Sequence, residues 1–204
     1  MTPDYWLRAK RALARRDAVL ARIIRAHPRI ALVRRGEPFK TLARSIVGQQ
    51  ISVQAAESVW KRVLAVAPAA TPEQILHARR RLQGCGLSQR KAEYIADLAR
   101  HFAEGTIHAR DWPEMEDEAV IAELIRVRGI GRWTAEMFRM FNLLRPDVLP
   151  LDDLGLQRAI CLHYFDGEWV QRAAMGELGA NWAPWRSVAT WYLWRSLDPV
   201  PVEY

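Results

Sequence analysis

Apolar residues recur along the chain at intervals of three and four, and hardly anywhere at two. Leu7, Leu13, Val19, Leu20 and Ile23 mark one side of an amphipathic helix over residues 4–26, which Pro28 ends. Pro38 opens a second helix through Val47, and Ser52 is placed to cap a third over 53–66, with Val59, Trp60 and Val63 on its apolar side. Thr71-Pro72-Glu73 reads as a cap with proline at the first helical position, followed by Ile75, Ala78 and Leu82. Ser88 caps a helix that runs to 104, where Gly105 stops it. Further helices are predicted over 117–127, 134–144, 154–165 (capped by Asp152-Asp153), 170–176 and 185–196. About nine or ten helices with short connections and no sustained alternation make the fold class all-α. No low-complexity linker divides the chain, so any lobes are expected to share an interface.

Composition narrows the class. A chain of 204 residues, half of them hydrophobic, can bury one core or two intimate lobes, and it is too apolar for wholesale disorder. Two cysteines, Cys85 and Cys161, cannot build a disulfide framework or a four-thiolate metal site, and they read as buried, inert thiols. No apolar run approaches the ~20 residues that span a bilayer, and the first twenty residues are too charged for a signal peptide. A soluble, cytoplasmic protein with no membrane partner is expected.

The net charge of +7 is unevenly spread. Residues 1–100 hold 20 Lys/Arg against 7 Asp/Glu, whereas 101–204 hold 10 against 16. All four lysines (Lys10, Lys40, Lys61 and Lys91) lie in the first half. An arginine-rich face suits a polyphosphate, whose oxygens the guanidinium fork bonds in pairs, but a solvated surface would look the same. Charge raises a nucleic-acid partner without establishing it.

One pattern occurs twice: Leu82-Gln83-Gly84-Cys85-Gly86 and Val127-Arg128-Gly129-Ile130-Gly131 each carry an apolar helix end into Gly-x-Gly and a new helix. Such a turn can aim successive N–H groups at an anion, although Gly84 and Gly86 read more simply as helix capping. The second copy continues as Arg132-Trp133-Thr134-Ala135 and resembles the helix-hairpin-helix motif, with Arg128 where proline is usual. Downstream, Asp153, Leu156 and Arg158 match the carboxylate segment of the helix-hairpin-helix DNA glycosylases. Ile46-Val47-Gly48-Gln49-Gln50-Ile51-Ser52, Gly86-Leu87-Ser88 with Lys91-Ala92, and Trp182-Ala183-Pro184-Trp185-Arg186-Ser187 resemble the 3-methyladenine DNA glycosylase II branch. The resemblance covers about residues 38–196.

That resemblance implies two helical lobes, one over 38–145 (hairpin 124–137) and one over 1–37 plus 146–204, forming a single catalytic unit with the active-site cleft between them. It implies a monofunctional, monomeric enzyme of base excision repair that acts on duplex DNA containing alkylated bases. Asp153 would be catalytic, Trp133 and Trp185 would line the base pocket, and Gln50 would take the place of the usual apolar wedge. Gly129, Ile130, Gly131, Arg132 and Thr134 would bind a phosphate. Asp152 competes with Asp153, and helix capping alone would explain either. Bifunctional relatives carry a Schiff-base lysine where this chain has Trp133, and no lysine follows Lys91. Met137 stands where the best-known members have an aromatic residue. Trp6, Trp191 and Trp194 read as core. Neither a metal site nor a cofactor is implied, apart from a monovalent cation that hairpin carbonyls could hold. With only 37 residues before Pro38, the short form without a β-rich N-terminal domain is expected. A non-catalytic DNA-binding module, a bifunctional oxidised-base enzyme and an unrelated all-α interaction protein remain as alternatives.

Overall fold

The structure, a computed structural model, describes residues 2–197. Among these residues it is all-helical. The elements are α1 (Trp6–Arg16), α2 (Ala18–Ala26), α3 (Pro38–Gly48), α4 (Val53–Val66) and α5 (Pro72–His77), then a 3₁₀ helix (Arg79–Cys85). They continue with α6 (Gln89–Ala103), α7 (Asp117–Leu124), α8 (Arg132–Phe141), α9 (Leu154–Tyr164), α10 (Arg172–Ala180) and α11 (Arg186–Leu197). Caps were the most legible feature: Ser52, Thr71, Ser88 and Asp153 each accept a backbone N–H three residues on.

The chain divides into two compact units. The first, residues 2–34 with 139–197, is built on α11, whose residues Ser187 to Arg195 are all buried. A helix that is buried all round needs neighbours on every side, and α1, α2 and α9 supply them. The second unit, 35–138, is organised on α6, which packs on α3, α5 and the 3₁₀ helix. Edge-on ring contacts run through its core from Phe39 to Phe102 (5.2 Å), to Trp112 (6.1 Å) and to Phe138 (5.1 Å).

Three expectations are corrected. The single helix over 4–26 is two helices broken at Asp17, which caps Leu20 N–H and accepts bonds from Tyr164 Oη (2.8 Å) and Trp182 Nε1 (2.9 Å). The unit boundary falls inside α8, between Phe138 and Arg139, and not at 145. Phe138 packs on Trp112, whereas Phe141 packs on Trp191 and Trp194 of α11. Finally, α7 stops at Leu124, because Val127 N–H bonds back to the Leu124 carbonyl and tightens the chain into the hairpin.

Candidate functional site

The hairpin belongs to the second unit. Gly129 sits at φ +86°, and a Cβ there would fall 2.1 Å from the Tyr94 ring, so only glycine fits on both counts. Gly131 faces open space. Arg132 and Thr134 N–H precede the first i→i−4 bond of α8, which Ala135 makes to the Gly131 carbonyl (3.0 Å). These are the donors that a helix start presents to an anion. Ile130 does not join them: its N–H bonds to the Val127 carbonyl (3.1 Å) and its side chain is buried. The Arg132 guanidinium pairs with Glu118 (2.5 Å) and Glu136 (3.3 Å), so Arg132 contributes its backbone and not its charge. The Thr134 side chain is buried.

Asp97 of α6 pins the hairpin. Its carboxylate accepts from Arg128 N–H (3.0 Å) and from Arg100 (2.8 Å). Burial pushes this carboxyl upward, but the Arg100 and Arg128 hydrogen bonds and charges outweigh it and hold Asp97 below its ordinary range.

The α3–α4 loop is tied to the same hairpin. Gln49 Nε2 donates to the Gly129 carbonyl (2.8 Å), and Lys91 Nζ donates to the carbonyls of Val47 (2.7 Å) and Gln49 (2.6 Å). Burial lowers the Lys91 pKa from its usual value. Gln50, at the tip, is exposed and left-handed (φ +59°). Gln50, Gly129 and Gly131 line a cavity of about 580 Å³ with Gln49, Lys91 and Tyr94. Trp133 is half-buried in the first turn of α8, and Met137 is buried one turn on.

Asp153 belongs to the first unit. Its Oδ1 accepts from Leu156 N–H (2.7 Å) and from the Trp194 indole N–H (2.8 Å), so cap and indole fix the carboxylate together. Gly155 matters here, since a Cβ at 155 would stand 3.1 Å from Asp153 Oδ1 and 3.3 Å from the Trp194 ring. Asp152, by contrast, is exposed and ion-paired with Arg172. Trp194, expected from the sequence to be core, is therefore the indole at the carboxylate. Trp185 is not there: it stacks on Tyr5 (5.8 Å) beneath the Arg8 guanidinium (5.2 Å). It immediately precedes α11, and the helix from Arg186 to Trp194 rises ~12 Å away from it. The repeated tryptophans of Trp-Arg-Ser-x₃-Trp-x₂-Trp could have prompted a test of which one faces Asp153, but spacing alone ranks none of them.

Residues 43–184 match the HhH-GPD superfamily base excision DNA repair protein family. The chain belongs to this superfamily. It is 42% identical over 117 residues to a putative DNA-3-methyladenine glycosylase of Bacillus subtilis. That match takes in 57% of this chain and 41% of the relative, so it spans less than half of the relative's length. The structure of a DNA-3-methyladenine glycosidase from Bacillus halodurans superposes with a TM-score of 0.83 at 36% identity, covering 93% of this chain and 88% of that one. The Schizosaccharomyces pombe 3-methyladenine DNA glycosylase in complex with abasic DNA superposes with a TM-score of 0.81 at 26% identity, covering 96% and 100%.

Within this HhH-GPD protein, a cation on the hairpin would have to share carbonyls that are already in use. The Val127 carbonyl accepts from Ile130 and the Gly129 carbonyl from Gln49, leaving one lone pair on each. Among the described residues no cluster of three His, Cys, Asp or Glu could hold a metal ion, and no helix is long and apolar enough to cross a membrane.

Proposed function

We propose that this protein is a monofunctional DNA glycosylase that hydrolyses the N-glycosidic bond of alkylated, 3-methyladenine-type bases in duplex DNA. The observation that carries the reading is Asp153, oriented at a helix start by a backbone N–H and an indole N–H in a chain of the HhH-GPD superfamily.

The chemistry needs little more than an oriented carboxylate. An alkylated purine carries positive charge, so the C1′–N bond breaks with its electron pair going to the base, which leaves neutral. The sugar acquires oxocarbenium character, and the Asp153 carboxylate stabilises it and directs water to C1′. The water proton passes to the carboxylate or to solvent. The backbone donors of Gly131, Arg132 and Thr134 grip a phosphate without reading sequence, and Gln50 fills the space of the displaced nucleotide. Trp133 offers the flat face on which a cationic base stacks. Trp194 holds the Asp153 carboxylate through its indole N–H, and Trp185 supports Tyr5 and Arg8.

A lyase reading has one specific candidate, because burial lowers the pKa of the Lys91 amine. Both of its short bonds run to carbonyls of the α3–α4 loop, which commits it as a donor and not as a nucleophile. Incubation with defined-lesion duplexes, scoring free base and strand cleavage separately, tests the proposal. Base release without cleavage and without a borohydride-trapped adduct is expected. An adduct, or near-normal release by a folded Asp153→Asn variant, would sink it.

A further inference from the structure

The whole net charge of this protein resides in its first 34 residues. They hold nine Lys/Arg and two Asp/Glu, a net of +7, while the remaining 170 residues hold 21 of each sign and are neutral. This segment is the α1–α2 pair of the first unit. The chain turns back on itself at Asp17, since Lys10 Nζ reaches the Pro28 carbonyl (3.0 Å), a residue that a continuous helix would place ~27 Å away.

Both helices bury one stripe in the same unit, Trp6, Ala9 and Leu13 on α1 and Leu20, Ala21, Ile23 and Ile24 on α2. Arg11 and Arg15 stand on the side of α1 away from that stripe, Arg22 and Arg25 do the same for α2, and Arg29 follows just past the end of α2. All five are exposed, and none forms an ion pair among the described residues. Elsewhere several surface arginines do have carboxylate partners. Arg100 of α6 pairs with Glu104 just past the end of its helix, and Arg132 pairs with Glu136 one turn along α8. An ordinary solvated helix face mixes signs in this way; the α1–α2 face repels itself.

We propose that the outer face of α1–α2 is a second, sequence-independent DNA-binding surface that holds the phosphate backbone of duplex DNA through Arg11, Arg15, Arg22, Arg25 and Arg29. Arginine suits phosphate by its bidentate fork, and the large exposed apolar residues of the segment, Leu7 and Val33, lie at its two ends and form no inserting face for a membrane. The choice of DNA among polyanions rests on the proposed glycosylase function. The site itself rests on the charge and the exposure.

The test is a salt series of binding to an undamaged, fluorescein-labelled duplex, read by anisotropy. In R11Q/R15Q/R22Q/R25Q/R29Q the plot of log affinity against log salt becomes shallower by about 0.9 for each phosphate no longer neutralised, by about 2 to 4 in total. Affinity at low salt falls about tenfold or more, while single-turnover base release at saturating DNA is unchanged. R22Q/R25Q/R29Q alone gives an intermediate slope. An unchanged slope in variants with the wild-type circular dichroism spectrum overturns the proposal. So does tighter binding of the wild type to phosphatidylserine vesicles or single-stranded RNA than to the duplex. If the wild type releases no base and the slope still falls, the glycosylase reading fails and the surface stands.

Discussion

The carboxylate site and the hairpin site solve opposite problems. Asp153 depends on one side chain, and its surroundings orient a charge: a backbone N–H and an indole N–H converge on a single oxygen. The hairpin depends on the backbone, and its surroundings hold a shape: Tyr94 against Gly129, Asp97 on the Arg128 N–H, Gln49 on the Gly129 carbonyl. In the proposed function, chemistry at the first is thus decided by residue identity, and binding at the second by conformational permission. A substitution at Asp153 should leave DNA affinity alone, and a substitution at the hairpin should leave the carboxylate alone.

The largest expected effect tests that separation directly. Asp153→Asn should lower single-turnover base release by about 10²–10⁴-fold while affinity for abasic duplex stays within a few-fold. Equal losses in both would show the two sites to be one. Gly129→Ala comes next. It imposes a positive φ on a residue with a Cβ and drives that Cβ into the Tyr94 ring, so urea unfolding should show a loss of about 1–3 kcal/mol together with weakened duplex binding. Adding Tyr94→Ala should relieve the clash but not the backbone strain.

Trp194→Phe keeps the ring and removes the donor to Asp153. A hydrogen bond to a charged group contributes ~1.5–3 kcal/mol, so base release should fall roughly 10- to 100-fold with abasic-DNA affinity preserved. The same change at Trp185 should be milder, which compares the two tryptophans in one assay. Lys91→Met removes both bonds to the α3–α4 loop while keeping much of the apolar stem, so affinity for abasic duplex should fall several-fold, on the order of 1 kcal/mol, with little change in the rate at saturation.

The smallest effect concerns acid. Asp97 is held below its ordinary range in the folded protein, so the stability it contributes is present above the unfolded carboxylate pKa of about 3.9 and is lost as pH falls through the lower folded value. Thermal unfolding across that interval should therefore show a steeper acid loss in the wild type than in Asp97→Asn.

Much of the fold was legible because its determinants are short-range. Ser52, Thr71, Ser88 and Asp153 were readable as caps because each bonds an N–H three residues away, and that geometry forms wherever the helix does. The break at Asp17 was not, since Leu7 to Ile23 keeps a helical rhythm through it. What stops the helix there includes bonds from Tyr164 and Trp182, more than 140 residues on. The hairpin is readable from its glycines, but not that Ile130 spends its N–H on the Val127 carbonyl within the turn.

By itself, then, the sequence determined the all-helical class, the helix starts, the glycine at 129, the carboxylate at 153 and the lack of a lysine at the hairpin position. These follow from residue type and from interactions that close within about one turn. Packing between distant segments settles that Trp194 and not Trp185 meets Asp153, that Asp152 pairs with Arg172, and that Gln49 and Lys91 bind the α3–α4 loop to the hairpin. Those contacts join residues 20 to 80 positions apart. A local pattern shows which way a side chain leaves its own helix, but its partner is set by how the other helices pack.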